Sequence, residues 1–299
     1  MKSKVKYREG MVDKPTPLGA AADVLIVLFT VICIFICVIP VWHTFMSSFS
    51  DGLILMSHEG VVWKWIGRFN LGGYKYLFAD SSIIRGYANT LIYVLGNIAC
   101  GLVVNVLGGY VLSRPTKLKG FLTMFLMLTM MFSGGIVPTY MVVRALGMTG
   151  TVWSLIVPGC TNAMFIILMM NAFRMVPEST VEAAHLDGAG HITVMFRIML
   201  PQAMGIGMVT IINTAIIAWN AWFEASIYVT GQRELWPLQL WVKQIVANNQ
   251  EFLNYTNPDY DRYLIQYAVI IGATMPILIA MPFFQKRLQK GSLAGAIKE

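Results

Sequence analysis

Chemically versatile side chains are concentrated in one interior stretch, residues 182–201, which reads EAAHLDGAGHITVMFRIMLP. The stretch combines charged side chains, helix signals and a glycine break, and long apolar runs flank it. His185 and His191 are six residues apart, which is a poor spacing for a metal site on one helix, so we expect both to be solvated. We therefore interpret the stretch as a binding segment with no metal.

Recognisable catalytic motifs are absent from the sequence. It contains no G-x-x-x-x-G-K-[ST] phosphate loop, no H-E-x-x-H pair and no Ser/His/Asp elbow. We predict that the protein is not an enzyme and does not hydrolyse ATP itself. The four cysteines lie in apolar runs without the spacing of a metal or disulfide framework, so we expect small buried residues.

The composition indicates a membrane protein. Of the 299 residues, 57% are hydrophobic and 12% are charged, whereas soluble domains have about 25% charged residues. The net charge of +7 is better interpreted through its distribution across loops than as a sign of nucleic-acid binding. The predicted class is all-α, because a backbone in lipid satisfies its own hydrogen bonds and no run alternates as a β-barrel strand would.

Six charge-free cores are long enough to cross a bilayer as helices, and they lie at residues 24–46, 86–113, 120–143, 145–173, 198–223 and 263–285. Six spans place both termini on one side, and that side carries 14 Lys and Arg against 8 on the other. The positive-inside rule then makes the termini cytoplasmic. The predicted units are an N-terminal segment (1–22), a six-helix domain (23–287) with a cytoplasmic loop at 177–203, and a tail (288–299).

Helix signals divide the cytoplasmic loop into two segments. Ser179 and Glu182 form a capping box, which predicts a helix start near Thr180. Gly188 predicts the end of that helix, and Pro201 predicts a second end. Between Gly188 and Pro201, one apolar stripe follows helical spacing, and it is formed by Ile192, Met195, Phe196 and Met199. Such a stripe fits a groove on another protein or the lipid surface, and the physics does not decide between them.

The spacing E-A-A-x3-G-x9-I-x-L-P, from Glu182 to Pro201, resembles the coupling loop of ABC importer permeases. Asp187-Gly188-Ala189, Phe196 and the tail from Phe284 to Lys298 are similar to MalG-type carbohydrate permeases. The resemblance covers the chain from about the first span to the end. It implies an inner-membrane type I importer subunit, in which the loop docks into an ATPase and not onto lipid.

The resemblance also implies a set of partners. These are a second permease subunit of different sequence, two ATPase subunits that bind ATP and Mg, and an extracytoplasmic solute-binding protein. This chain itself would bind no cofactor and no nucleic acid. The residues expected to contact the ATPase are Glu182, Ala183, Ala184, Asp187, Gly188 and Phe196.

Polar residues in the fifth span predict a solute pathway. Asn213, Asn220 and Glu224 fall on one helix face with Trp219 nearby, which suits a sugar, although hydrogen bonding between helices is the alternative. In the third span, Ser133-Gly134-Gly135 predicts a local break or a close helix contact. The long outer connection at 230–262 lacks obvious structure and is either a functional loop or a tether. By resemblance it contacts the binding protein, through Asn248, Asn249, Gln250 and Asn254.

The predicted function is the import of a carbohydrate, most simply an oligosaccharide. An amino acid, a peptide or glycerol phosphate is the alternative cargo. The fifth span lacks the Arg or Lys that an anion would favour, which favours a neutral, hydroxylated solute. A secondary transporter would need intramembrane charges and an internal repeat, and the sequence shows neither clearly.

Overall fold

The computed structural model describes residues 17–247 and 262–296, and within these ranges every regular element is helical. The α-helices are α1 (Pro17–Ser47), α2 (Gly52–Ser57), α3 (Gly72–Ala79), α4 (Ser81–Ser113), α5 (Lys119–Met131), α6 (Ile136–Ala145), α7 (Trp153–Ile156), α8 (Ala163–Arg174), α9 (Glu178–Leu186), α10 (His191–Thr193), α11 (Leu200–Trp219), α12 (Trp222–Tyr228), α13 (Leu238–Ala247) and α14 (Arg262–Ala296). A π-helix covers Val194–Met199 and a 3-10 turn covers Arg233–Leu235.

Within the described ranges, four helices are long and apolar enough to cross a membrane, and they cover Ala21–Ser47, Ser81–Ser113, His191–Trp219 and Leu264–Phe284. The number rises to six if each of two bent pairs is one span. These pairs are α5 with α6, bent by 116°, and α8 with α9, bent by 74°. The predicted all-α membrane fold is therefore confirmed. The third span is broken at Ser133-Gly134-Gly135, where the sequence predicted a local break or a close helix contact, and the fourth is broken where a continuous span was predicted.

Local sequence explains both breaks. Gly135 has a φ of +83°, a conformation that costs a glycine little and other residues more, and α6 begins directly after it. The predicted fourth helix, 145–173, is interrupted after α7. Asn162 then caps the start of α8, because its side chain accepts a hydrogen bond from the backbone N–H of Met164 at 2.9 Å. The sequence had predicted the first interruption as one of two alternatives, whereas apolar length alone did not reveal the second.

Helix α4 lies at the centre of the fold and packs against α8, α11 and α13. Gly109 permits the close approach of α8, since a Cβ at this position would lie 2.7 Å from the Cβ of Met169. Toward its C-terminal end, α4 shares an apolar cluster with α8, α9 and α11. Toward its N-terminal end it packs against the outer connection. One helix therefore links the two ends of the molecule.

The described part of the outer connection contains a 3-10 turn and α13, so the expectation of a loop without structure is wrong for this part. The side chain of Asn89 on α4 donates to the carbonyls of Glu234 (2.6 Å) and Trp236 (3.1 Å). The Leu238 N–H donates to the Thr90 hydroxyl at 2.9 Å. Residues 248–261 lie outside the described residues, and so do the predicted contacts Asn248, Asn249, Gln250 and Asn254.

Candidate coupling segment and solute cavity

Helix α9 begins at Glu178, earlier than the predicted start near Thr180. Pro177 occupies the N-cap with φ −57° and ψ 132°, and no side chain caps the helix. The fixed φ of proline suits the position before a helix. Ser179 consequently lies inside the first turn and cannot serve as the cap. The predicted capping box with Glu182 is therefore wrong.

Gly188 ends α9 as predicted. Its φ is +80°, the left-handed region that glycine enters most easily. The Ala189 N–H donates to the Ala184 carbonyl at 2.9 Å and the Gly188 N–H donates to the His185 carbonyl at 3.0 Å. These two bonds form a Schellman motif. The motif turns the chain back so that Ala189 packs against the cluster that contains Ala184.

The helix that follows the corner does not end at Pro201. Helical structure runs continuously from His191 to Trp219, and its residues 194–199 are π-helical. Proline lacks an N–H, and its ring collides with the carbonyl four residues earlier in a regular α-helix. A wider turn before Pro201 accommodates the ring. The predicted stop is therefore wrong, and residues 178–199, named here the coupling segment, join α11 without a break.

The predicted apolar stripe is also divided. Met195 and Met199 are buried in the cluster with α4 and α8, whereas Ile192 is 73% exposed and Phe196 is half exposed. The π-helix changes the rotation per residue, so an α-helical spacing assigns the faces wrongly. Leu186, which is 90% exposed, was not predicted from the sequence. Leu186 does not lie on the helix face that carries the buried residues Val181 and Ala184. This position in the helical pattern is the signal that could have predicted its exposure.

The residues predicted to contact an ATPase occupy two environments. Exposed side chains or backbone are found at Glu182, Ala183, Asp187, Gly188 and Phe196. Ala184 is buried and packs inside the chain instead. Together with Leu186 and Ile192, the exposed group surrounds the glycine corner, where apolar side chains stand beside two carboxylates. This composition fits a protein partner, since exposed apolar side chains rimmed by polar ones mark interaction sites.

The two histidines lie closer together than their spacing suggested. The corner brings the rings of His185 and His191 to a centroid distance of 5.3 Å, and both side chains are exposed as predicted. His191 Nδ1 lies 3.2 Å from the hydroxyl of Tyr110 on α4. Among the described residues, no group of three His, Cys, Asp or Glu side chains could hold a metal ion.

A cavity of about 360 Å³ lies toward the other end of α4 from the coupling segment, between α4, α11, α12 and the breaks before α6 and α8. Its lining includes Asn97, Gly135, Asn162, Thr214, Glu224 and Tyr228. Its volume falls within the range of small-molecule pockets, roughly 300–1,000 Å³. The cavity is therefore large enough to hold part of a small solute.

Of the residues predicted to line a pathway, only Glu224 lines this cavity in the part of the chain described. The amides of Asn213 and Asn220 are exposed and donate to carbonyls of their own helix, each at 2.8 Å. Trp219 is buried, with its indole N–H 3.3 Å from the Ala273 carbonyl. Helix α11 ends at Trp219, so the helical spacing that grouped these residues does not continue to Glu224.

Comparisons with known proteins agree with this geometry. No protein-family model matches the sequence. The chain is 31% identical over 283 residues to the polygalacturonan/rhamnogalacturonan transport system permease protein YtcP of Bacillus subtilis, covering 92% of this chain and 98% of that protein. It is 25% identical over 276 residues to the maltodextrin transport system permease protein MdxG of the same species, covering 91% and 94%.

A solved structure resembles the fold closely. It is a crystal structure of a bacterial ABC transporter involved in the import of the acidic polysaccharide alginate. The TM-score is 0.84 at 25% sequence identity, and the alignment covers 92% of this chain and 99% of that chain. The overall fold described above is therefore also found in a solved transporter.

Proposed function

Because the chain belongs to the family of ABC transporter permeases, we propose that it is the permease subunit of an ATP-driven importer for a carbohydrate, specifically an oligosaccharide. The observation that carries the proposal is the coupling segment. Its signature residues Glu182, Ala183 and Gly188 are exposed at a glycine corner, and its second half continues as a membrane-spanning helix. Sugar permeases among the relatives support the carbohydrate cargo.

The ATPase is a separate subunit in this proposal. Permease subunits of this family are not catalytic, so ATP and Mg belong to two ATPase subunits that bind the coupling segments. Glu182, Asp187 and the apolar side chains Leu186, Ile192 and Phe196 are the contacts on this chain. Movement of α9 is transmitted to α11 through the uninterrupted helix and through the buried cluster shared with α4 and α8.

The other partners complete the pathway. A second permease subunit covers apolar surface that this chain leaves exposed, for example Phe121, Phe125 and Met131 on α5. A solute-binding protein delivers the oligosaccharide and contacts the outer connection near Asn248–Asn254. The cavity beside Glu224 is this chain's part of the route.

The protein is a multi-pass protein of the bacterial cytoplasmic membrane, and both termini and the coupling segment face the cytoplasm. The Lys and Arg distribution supports this orientation. It places α3, α13 and the cavity toward the outer side.

Transport in proteoliposomes tests the proposal. The permease is purified with its partner permease and ATPase, reconstituted, and supplied with its solute-binding protein. We expect ATP-dependent accumulation of a neutral or acidic oligosaccharide. Accumulation of an amino acid, a peptide or glycerol phosphate with no response to any oligosaccharide would contradict the carbohydrate assignment. Uptake that is driven by an ion gradient without ATP would contradict the ABC mechanism.

A further inference from the structure

We propose that the cavity contains a subsite that binds an uncharged sugar unit and that Glu224 discriminates against uronic acids. The inference rests on the proposed function and specifies its cargo. It is drawn from three features of the cavity lining. These are polar groups that open onto the cavity and have no partner in the described part of the chain, the balance of charge, and the aromatic side chains.

Two residues that are mostly buried have hydroxyl groups open to the cavity. Thr214 is 7% exposed and Tyr228 is 8% exposed, and both line the cavity. Neither hydroxyl has a hydrogen-bond partner among the residues that the structure describes. Neither hydroxyl oxygen is fully enclosed, so both are open to a molecule in the cavity. A ligand there can supply the hydrogen bonds that the described part of the chain does not.

Asn97 presents a third such group. Its side-chain N–H₂ group donates to the carbonyls of Tyr93 (2.9 Å) and Leu155 (3.2 Å). These two bonds hold the amide in place, and the carbonyl oxygen Oδ1 has no partner within the described chain. A Cβ on the cavity-lining Gly159 would lie 2.5 Å from this oxygen. The glycine thus leaves Oδ1 open, and Oδ1 can accept a hydrogen bond from a sugar hydroxyl.

The charges around the cavity nearly cancel. Glu224 is the one charged side chain among the described residues that line it, and it forms no ion pair in the described structure. Helices α6 and α8 begin at the cavity, at Gly135 and Asn162. A helix N-terminus carries about half a positive charge, so the two together offset about one negative charge. The result is a site with donors and acceptors but little net charge.

A sugar unit without a carboxylate matches this site best. Its hydroxyls both donate and accept, so they can satisfy Thr214, Tyr228, Asn97 and Glu224 at once. Its C–H faces can pack on Tyr93 and Phe165, whose rings also line the cavity. A uronic acid would add a second carboxylate near Glu224, and the described residues of the lining include no Lys or Arg to offset this additional negative charge. The solved relative is involved in the import of an acidic polysaccharide. The cavity of this chain instead predicts a preference for an uncharged sugar unit.

Direct binding to the permease tests the inference. The permease–ATPase complex is purified without the binding protein, so that the selectivity of that protein does not enter. Equilibrium dialysis at low salt measures the Kd of three neutral trisaccharides (maltotriose, cellotriose and mannotriose) and of trigalacturonate. We expect at least one neutral trisaccharide to bind more tightly than trigalacturonate. E224Q removes the repelling charge and should shift the ratio of the two Kd values toward trigalacturonate by about fivefold or more.

The hydroxyl groups are tested with T214V and Y228F. Each should weaken binding of the preferred neutral trisaccharide by roughly 2–10-fold, the value of one hydrogen bond. Controls are T210V, on the same helix but with its hydroxyl bonded to the Gly207 carbonyl, and E234Q, an exposed carboxylate near Arg85 outside the cavity. Both should bind all four saccharides as the wild type does.

Two results overturn the inference while leaving the proposed function intact. The first is unchanged selectivity in E224Q, and the second is wild-type affinity in both T214V and Y228F, in a complex that still imports oligosaccharides. Absence of binding and of import for every saccharide would instead contradict the proposed function, and the inference with it.

Discussion

Gly188 is the residue on which the shape of the coupling segment depends most. Its positive φ allows the Schellman motif that ends α9 and directs the chain into the next helix. This position was predictable, because a glycine after a helical segment is a strong stop signal. The start of α9 was not predictable in the same way. Both the Ser179–Glu182 pattern and Pro177 are helix-start signals, and the sequence does not show which of them marks the first residue of the helix.

A matched glycine pair isolates the backbone effect. A Cβ added at either Gly188 or Gly190 would meet no heavy atom within 4 Å, but Gly190 has an ordinary φ of −75°. We expect Gly188→Ala to lower stability by about 1–2 kcal/mol through left-handed strain and Gly190→Ala to be neutral. Thermal unfolding of the purified complex measures both. Equal effects of the two substitutions would show that the positive φ is unimportant.

Leu186 is a second test at the scale of one residue. Its exposed side chain should be covered by the ATPase, and burying a leucine contributes roughly 1.5–3 kcal/mol. Leu186→Ser should therefore reduce ATPase co-purification by about tenfold or more. Leu53, which is also largely exposed but lies on α2, provides the control in Leu53→Ser. Retention of the ATPase by Leu186→Ser at the wild-type level would exclude this leucine from the interface.

At the scale of helices, hydropathy predicted where the chain crosses the membrane but not where the helices break. In the run 120–143, Ser133-Gly134-Gly135 predicted a local break or a close helix contact, and the structure shows the break before α6. The run 145–173 suggested one straight span, but the structure interrupts it before Asn162, because a capping side chain offers the backbone another hydrogen bond. At Pro201 the prediction failed in the opposite direction. The sequence predicted that the helix ends there, but a π-helical turn keeps it continuous.

The contact between α4 and α8 can be tested with another glycine pair. A Cβ at Gly109 would lie 2.7 Å from Met169 Cβ and 2.9 Å from the Met170 nitrogen, so backbone must move. We expect Gly109→Ala to destabilise the protein by about 1–3 kcal/mol. A Cβ at Gly120 in α5 meets nothing within 4 Å, and Gly120→Ala should be neutral or stabilising. Chemical denaturation in detergent compares them, and equal stability would mean that the two helices do not need this close approach.

Across the whole molecule, α4 connects the coupling segment at one end with the cavity and the ordered outer connection at the other. The membrane fold and the family signature were predictable from the sequence, because both depend on local composition and spacing. The cavity was not, because it brings Asn97, Asn162 and Tyr228 together from distant parts of the chain. Helical periodicity contains no information on which residues of different helices come to line the same cavity.

Orientation is a prediction about the whole molecule. Single cysteines are introduced at the exposed positions Glu59 and Ser179 in a chain whose four native cysteines are replaced by alanine. The cysteine at position 59 should react with a membrane-impermeant maleimide in intact spheroplasts. The cysteine at position 179 should react only after permeabilisation. The reverse pattern would place the coupling segment outside and contradict the ATPase assignment.

The proposed role of the coupling segment, which is to convert ATP hydrolysis into transport, is tested most directly by Glu182→Lys. ATP hydrolysis and oligosaccharide uptake are measured side by side in the same proteoliposomes, with Glu59→Lys as the control for the change of charge at an exposed glutamate. We predict that Glu182→Lys stays in the membrane and loses at least about tenfold in uptake per ATP hydrolysed, a loss of about 1.4 kcal/mol in coupling. Normal uptake per ATP in Glu182→Lys would contradict this role.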